Sequence, residues 1–471
     1  MEERAAPTQI STGSTAGDTT KQDLSAVSGA NLDRTNGVPI FINRNYALLW
    51  VGRTISIGGD YVFNTTLVLW VSIQVAAGQS WAPLAVSGVV LAAGLPAILV
   101  SLIAGVFADR WDRRRAMVHT NLLNVGLIAA LIPVALLPTS TLPPGWKLSL
   151  IYLLVFLAGV VTRFYIPSSV ALVGEIVDEA DRPRASGLNQ MSYSLCSIAG
   201  PSLATLFFFI FGPPLAILLN ALSFLAASLT VLLIHPPRTP LRTPSRQRRN
   251  FWDEFRTGID FCFHHTILRV LLIATALIFI QEGAERALTI FFVGQNLHAP
   301  SGDYGFLLTA SAGGVAVGAL LTTVFARYLS MGRLFGLSLL LAGGLELLYA
   351  RQSNLLPVLI ICSFQGLLFG AFNIALSPLM LHAAPDHMRG RASSILGTLT
   401  GVSIMLSTAL AGWLDSTLLR NFHTMLFGVT FGPVDTIFTF AGIITILSGC
   451  YALVNLRRVR LKGEHSRVKA N

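Results

Sequence analysis

Few ionisable residues of this chain stand in apolar surroundings, and those few are grouped. One group reads Gln281-Glu282-Gly283-Ala284-Glu285-Arg286. On a helix, Glu282 and Arg286 are four residues apart and can pair, while Glu285 shares a face with Glu282 and has no obvious partner on its own helix. Two carboxylates this close compete for ionisation, so one of them is suited to taking up and releasing a proton. Glu285 is assigned the proton and Glu282 the ion pair. The alternative is an internal Glu–Arg pair with no chemical role. A second group is Arg53, Asp60 and Asn64, with Asp60 and Asn64 one turn apart on one face. Asp60 reads as a protonatable or ligand-facing carboxylate, or else as half of a structural salt bridge with Arg53 or Arg163. Arg163 itself could hold an anion, pair with Asp60, help latch a loop, or snorkel to a polar surface.

The elements that hold these residues are apolar and long. Of 471 residues, 53% are hydrophobic and 12% charged, against about 25% charged in a soluble domain. Apolar runs long enough to cross a bilayer, about 20 residues of helix each, recur along the chain. Twelve are read, among them Ala47–Ala76 around Asp60, Pro83–Phe107, Ala116–Leu137 and Leu268–Val293 around Glu285; the ninth, Leu334–Tyr349, is the shortest. The net charge of +10 is uneven. Lys and Arg collect in the N-terminal tail, around Arg110–Arg115, in 236–269 and after Leu456, while the opposite loops hold only Lys147, Arg351 and Arg420. That asymmetry is a topology signal, placing the basic loops and both termini in the cytoplasm, and not a nucleic-acid footprint.

Five segments follow. Residues 1–44 are rich in Ser, Thr, Gly and Ala and read as a disordered cytoplasmic tail. Residues 45–235 and 267–456 hold six spans each. Residues 236–266 form a linker, with four prolines and five arginines in 236–250, then an amphipathic surface helix. Residues 457–471 are a basic tail. An internal repeat supports the division: Glu179–Gly187 and Asp386–Ser394 share Arg-Ala-Ser at the start of a span.

The short turn Gly105–Arg115, GVFADRWDRRR, carries a family resemblance. It resembles the loop signature between the second and third helices of the major facilitator superfamily, with Phe107 and Asp112 departing from the usual leucine and glycine. Asn45–Asp60, Phe251–Phe261, Pro167–Leu188 and Pro378–Leu396 are similar to the drug:proton antiporter branch that includes macrolide-efflux and enterobactin-exporter proteins. The resemblance implies an all-α membrane protein of twelve transmembrane helices in two pseudo-symmetric six-helix bundles. It further implies a cytoplasmic gate built on Gly105, Asp109, Arg110, Arg113 and Arg114, and a helix kink at Gly200-Pro201 like that of antiporters; a plain packing kink and a static positive anchor are the alternatives.

The expected activity is secondary active transport in the plasma membrane, as proton-coupled efflux of an amphipathic small molecule. Asp60, Asn64, Glu282, Glu285 and Arg286 would face the cavity, with Glu346, Gln365 and Asn373 further candidates and Tyr61, Trp70, Phe291 and Phe292 as apolar walls. An importer, uniporter or lysolipid flippase, or a non-transporting sensor, stay open beside it. No P-loop, metal-ligand cluster or nucleophile set is found, so no enzyme, metal or cofactor is expected. The partners are a small-molecule substrate, protons and the lipid bilayer, with no nucleic acid and a monomer as the default. Gly314/Gly318 and Gly366/Gly370 read as close-packing pairs.

Overall fold

The structure, a computed structural model, describes residues 42–100, 111–138, 141–235, 256, 260–325, 329–422, 424–426 and 429–456. Both tails, the 236–250 linker and nearly all of the expected surface helix at 251–261 lie outside the described residues.

Twelve long helices follow one another: α1 Arg44–Trp70, α2 Ala82–Leu99, α3 Arg113–Ala129 with its continuation Leu131–Leu136, α4 Pro144–Ile176, α5 Arg182–Phe211, α6 Pro213–Leu232, α7 Thr266–Gln295, α8 Tyr304–Phe325, α9 Met331–Tyr349, α10 Leu355–Ala383, α11 Asp386–Ser416 and α12 Pro433–Leu456. Eleven are apolar and long enough to cross a membrane. The exception is α1, whose run is interrupted by Arg53, Asp60 and Asn64, the residues read above as chemical. Local signals start and stop the helices. Asn43 and Asp112 cap α1 and α3 by accepting from the backbone N–H of Tyr46 and Arg115, each at 2.7 Å. Pro144 and Pro213 occupy first-turn positions where no N–H is needed. Only Gly212, at φ +76°, separates α5 from α6, a left-handed backbone that a side chain would strain. A short antiparallel hairpin, Thr424–Leu426 with Val429–Phe431, joins α11 to α12.

The packing repeats with a period of six helices. In the first half α1 packs on α5 and α6, α3 on α4 and α6, and α2 on α4; in the second, α7 packs on α11 and α12, α9 on α10 and α12, and α8 on α10. The halves meet through α2 with α11 and α5 with α8, themselves a symmetric pair. Glycine permits the closest approaches. Gly314 and Gly318 of α8 lie on the backbone of Ser363 and Leu367, and Gly366 and Gly370 of α10 lie reciprocally on Ser311 and Val315. The repeated Arg-Ala-Ser opens α5 and α11, and Ala185 and Ala392 are buried in matching places.

Among the described residues, the two halves share an apolar core at one end of the bundle. The apolar core that draws on both halves, including Trp70, Leu131 and Ile151 with Phe292, Tyr304 and Phe438, lies at the helix ends far from Arg113. The clusters at the basic end, Val270, Phe335 and Phe372, and Cys262, Leu272 and Ala392, draw on the second half alone. Trp70 and Phe292, expected as cavity walls, are 1% and 0% exposed. Their place is in the joint between the halves.

Candidate functional site

Within the second half, three helices bring four polar side chains together. Gln281 of α7 donates to Glu285 one turn on, at 2.8 Å, and to Glu346 of α9, at 2.9 Å. Gln365 of α10 donates to the same Glu346 oxygen at 2.6 Å. Glu346 is 0% exposed, and the Gln281 amide bridges its carboxyl to that of Glu285. Two carboxyls gathered on one amide in an apolar interior disfavour double ionisation, and both amide donors converge on a single Glu346 oxygen, Oε2. Glu346 Oε1 has no partner among the described residues. Such a group is costly in an apolar bundle unless its bonds are made.

The backbone beneath this cluster is held from the opposite side. Ser407 and Thr408 of α11 donate to the carbonyls of Ile280 and Gly283, the latter at 3.0 Å. Gly283 admits α11 at backbone contact, since a side chain there would collide with the Ile404 carbonyl and Ser407. α7 thus presents two faces with different chemistry. Gln281 and Glu285 point into the second half, while Glu282 and Arg286 pair on the other face, with N···O distances of 3.0 Å. The Arg286 side chain is 51% exposed and stands within electrostatic reach of Tyr61 on α1 and Tyr304 on α8.

Asp60 sits on α1 beside Asn220 of α6. Gly58 and Gly59 leave the helix unbroken; Gly59 lets α1 press on Asn220 and Ser223. Neither expected salt bridge forms. Arg53 donates to Ser169 Oγ at 3.1 Å and the Tyr193 hydroxyl at 3.4 Å. Arg163 makes no ion pair among the described residues, and its Nε lacks a hydrogen-bond partner there. Asn64 is exposed, and Asn373 donates to the Phe369 carbonyl of its own helix. No hydrogen bond or ion pair among the described residues links Asp60 or Asn64 to Glu282, Glu285 or Arg286.

Gly200 and Pro201 lie inside α5, which continues to Phe211. They lie where the halves touch. Gly200 packs on the Tyr61 side chain, Ser202 bonds Thr309 of α8 at 2.7 Å, and Thr309 donates to the Ile198 carbonyl at 2.7 Å. Of the gate residues, Gly105, Asp109 and Arg110 lie outside the described residues. Arg113 pairs with Glu175 at the end of α4, and Arg114 donates to the last carbonyls of α6, Val231 and Leu232. Both arginines therefore bind within their own half here, at helix C-termini that favour cations.

Sequence reading placed Gln281 beside the glutamates without seeing that it bridges them. It also passed over Glu175 and Asn220. Glu346 carried a usable signal, as a lone acid in the apolar ninth span. Glu175 and Asn220 carried none, because only the fold brings them to Arg113 and Asp60. Among the described residues, no group of three His, Cys, Asp or Glu is placed to hold a metal ion.

The family described as transmembrane secretion effector matches residues 37–429. The chain is 25% identical to the MFS-type transporter YkuC of Bacillus subtilis (strain 168) over 83% of its own length and 90% of that protein. It is 21% identical to macrolide efflux protein A of Streptococcus pyogenes over 77% of this chain and 87% of that one. Among solved structures it resembles a bacterial homologue of the human lysosomal transporter Spinster in an inward-facing, occupied conformation, with TM-score 0.66 and 14% identity over 88% of this chain and 97% of that chain. That likeness is one of fold.

Proposed function

The chain belongs to the major facilitator superfamily, in its transmembrane secretion effector family, and from that premise we propose that this membrane transporter exports an amphipathic small molecule in exchange for protons. The observation that carries the reading is the pair of Glu285 and Glu346 carboxyls bridged by Gln281, with Gln365 donating to Glu346 as well. Removing the proton leaves two like charges in a bundle interior, which disfavours the arrangement that holds them together. Proton loss would then loosen α7 from α9 and α10, and because α7 carries Glu282 and Arg286 on its other face, the cavity would feel the change. Asp60, from the matching helix of the first half, would contact substrate.

In this reading the basic end is cytoplasmic, both termini lie there, and the membrane is the bacterial plasma membrane. Two bundles rocking about the central site give alternating access. The structure corresponds to the state closed at the far end, since the shared core lies there. Arg113 and Arg114 would join a gate with the 105–110 turn when the basic end closes.

The test uses inverted membrane vesicles with an imposed gradient, acid inside, and a pH-sensitive dye. Compounds from a panel of macrolides, other drugs and siderophores are added to wild type, Glu285→Gln and Glu346→Gln. A compound that drains the gradient in wild type and not in either variant supports the reading. Drainage that survives both substitutions removes the carboxyl pair from coupling, and labelled uptake that ignores the gradient in wild type removes proton coupling altogether.

A further inference from the structure

Where α1, α4 and α5 converge at the basic end of the first half, they leave a cavity of about 200 Å³. Arg53, Arg182, Tyr46, Ser186 and Asn189 are among its walls, and no carboxylate is. Arg53 is the tenth residue of α1, more than two turns inside the helix. A charge at such depth ordinarily has a counter-charge, and Arg53 has none within ion-pair distance among the described residues. Its bonds go to two neutral hydroxyls, Ser169 and Tyr193, with the guanidinium carbon 5.9 Å from the Tyr193 ring centre. A guanidinium has five N–H groups, so donors remain for a ligand.

Arg182 opens α5 on the other wall. It reaches the Gly174 carbonyl at 3.4 Å and Glu179 at 3.7 Å. The Arg182 and Glu179 side chains are 50% and 91% exposed, and a pair so open to water binds weakly. The other acids nearby do not compensate the cavity. Asp178 and Asp181 precede α5 outside the lining, Glu175 is taken by Arg113, and Asp60 lies two turns further along α1. The α5 N-terminus adds a positive dipole end.

We infer that this cavity is a binding site for a phosphate group. Two guanidiniums from different helices, with the Ser186 and Asn189 side chains beside them, match the several oxygens of a phosphate better than the two of a carboxylate. The volume admits a headgroup-sized fragment and not a whole drug. The phosphate belongs either to an anionic lipid or to a soluble organophosphate, and the site lies near the basic helix ends, where either can arrive. The matching position of the second half carries no arginine, the tenth residue of α7 being Thr275.

The experiment uses the purified full-length chain, with no proton gradient, so that its failure and that of proton exchange are separable. One arm titrates glycerol 3-phosphate and inorganic phosphate into the protein in neutral detergent and reads the thermal midpoint and the binding heat. The other compares nanodiscs of phosphatidylcholine with nanodiscs containing phosphatidylglycerol. Arg53→Gln and Arg182→Gln test the site, Arg53→Lys retains charge should the glutamine variant fold poorly, and Arg333→Gln at the same end of the second half is the control. A saturable response in wild type and Arg333→Gln, weakened at least tenfold by Arg53→Gln and by Arg182→Gln, supports the site. A response in the soluble arm identifies a free organophosphate as the source, and a response in the nanodisc arm alone identifies the lipid. A response equal in wild type and both site variants is a general salt or surface effect and overturns the inference, as does no response in either arm.

Discussion

α1 and α7 hold matching places in the two halves, each packed on the fifth and sixth helix of its own bundle. Counted from the helix starts, Asp60 and Glu282 are both the seventeenth residue. Their surroundings are unlike. Around α7 the acids are engaged: Glu282 with Arg286, and Glu285 with Gln281, which also holds Glu346. Around α1 the charges stand apart, Asp60 beside an amide and Arg53 on hydroxyls. The backbone packing is repeated and the chemistry is not. A scaffold symmetric in its contacts can rock symmetrically, while in the proposed exchange the asymmetric charge set would give the two bundles different tasks, proton handling to the second and ligand contact to the first.

The largest expected effect tests that division. Glu346→Gln keeps shape and hydrogen bonding and removes the proton, so gradient-driven transport in inverted vesicles should fall to the level of empty vesicles. Asp60→Asn should leave the proton response in place and weaken apparent affinity for substrate by roughly tenfold, the worth of one charged contact at about 1.4 kcal/mol. Measuring rate against substrate concentration for both variants separates the two. If Asp60→Asn also abolishes the proton response, the halves share the coupling task and the comparison breaks.

A smaller effect concerns packing. In the second half α8 and α10 approach through glycines on both helices, Gly314 and Gly318 facing Gly366 and Gly370 across shared backbone. In the first half the symmetric contact, α2 on α4, is made by single glycines against side chains, Gly88 against Tyr152 and Gly159 against Pro96. Backbone cannot yield, whereas the Tyr152 ring can turn. Gly318→Val should therefore cost about 1–3 kcal/mol by overpacking, visible as a lower thermal midpoint of the purified protein, and Gly88→Ala clearly less. Equal losses would mean that the two contacts are equally rigid.

The glycine pairs, the apolar spans, the two halves and the basic end were legible because length, spacing and charge asymmetry are local properties. The pairing of Glu282 with Arg286 was legible for the same reason, four residues being one turn. The partnership of Glu285 was not. It depends on α9 bringing Glu346 to Gln281 of α7 and on α10 bringing Gln365 to Glu346, contacts across 65 and 19 positions of sequence that no periodicity announces. The surroundings of Asp60 were hidden in the same way: Arg53, the partner of the alternative salt-bridge reading, lies on its own helix, yet Ser169 and Tyr193 from other helices take the guanidinium.

The smallest expected effect lies at the basic end, where the comparison is sharpest in what the arginines hold. Arg113 bridges α3 to Glu175 of α4, with side chains 31% and 25% exposed, and Arg389 of α11 reaches the Leu381 and Ala384 carbonyls at the end of α10. Partly exposed ion pairs contribute about 0–1 kcal/mol, so Glu175→Gln should lower the thermal midpoint by no more than a few degrees. It should do so less as salt is raised, because screening removes the same attraction. The Arg389 bonds to the end of α10 are untouched by this substitution, and that end should be as stable in the variant as in wild type. Should Glu175→Gln instead leave stability unchanged and alter transport, Glu175 would be holding Arg113 ready for the closed basic end. The pair would then belong to the gate and not to the scaffold.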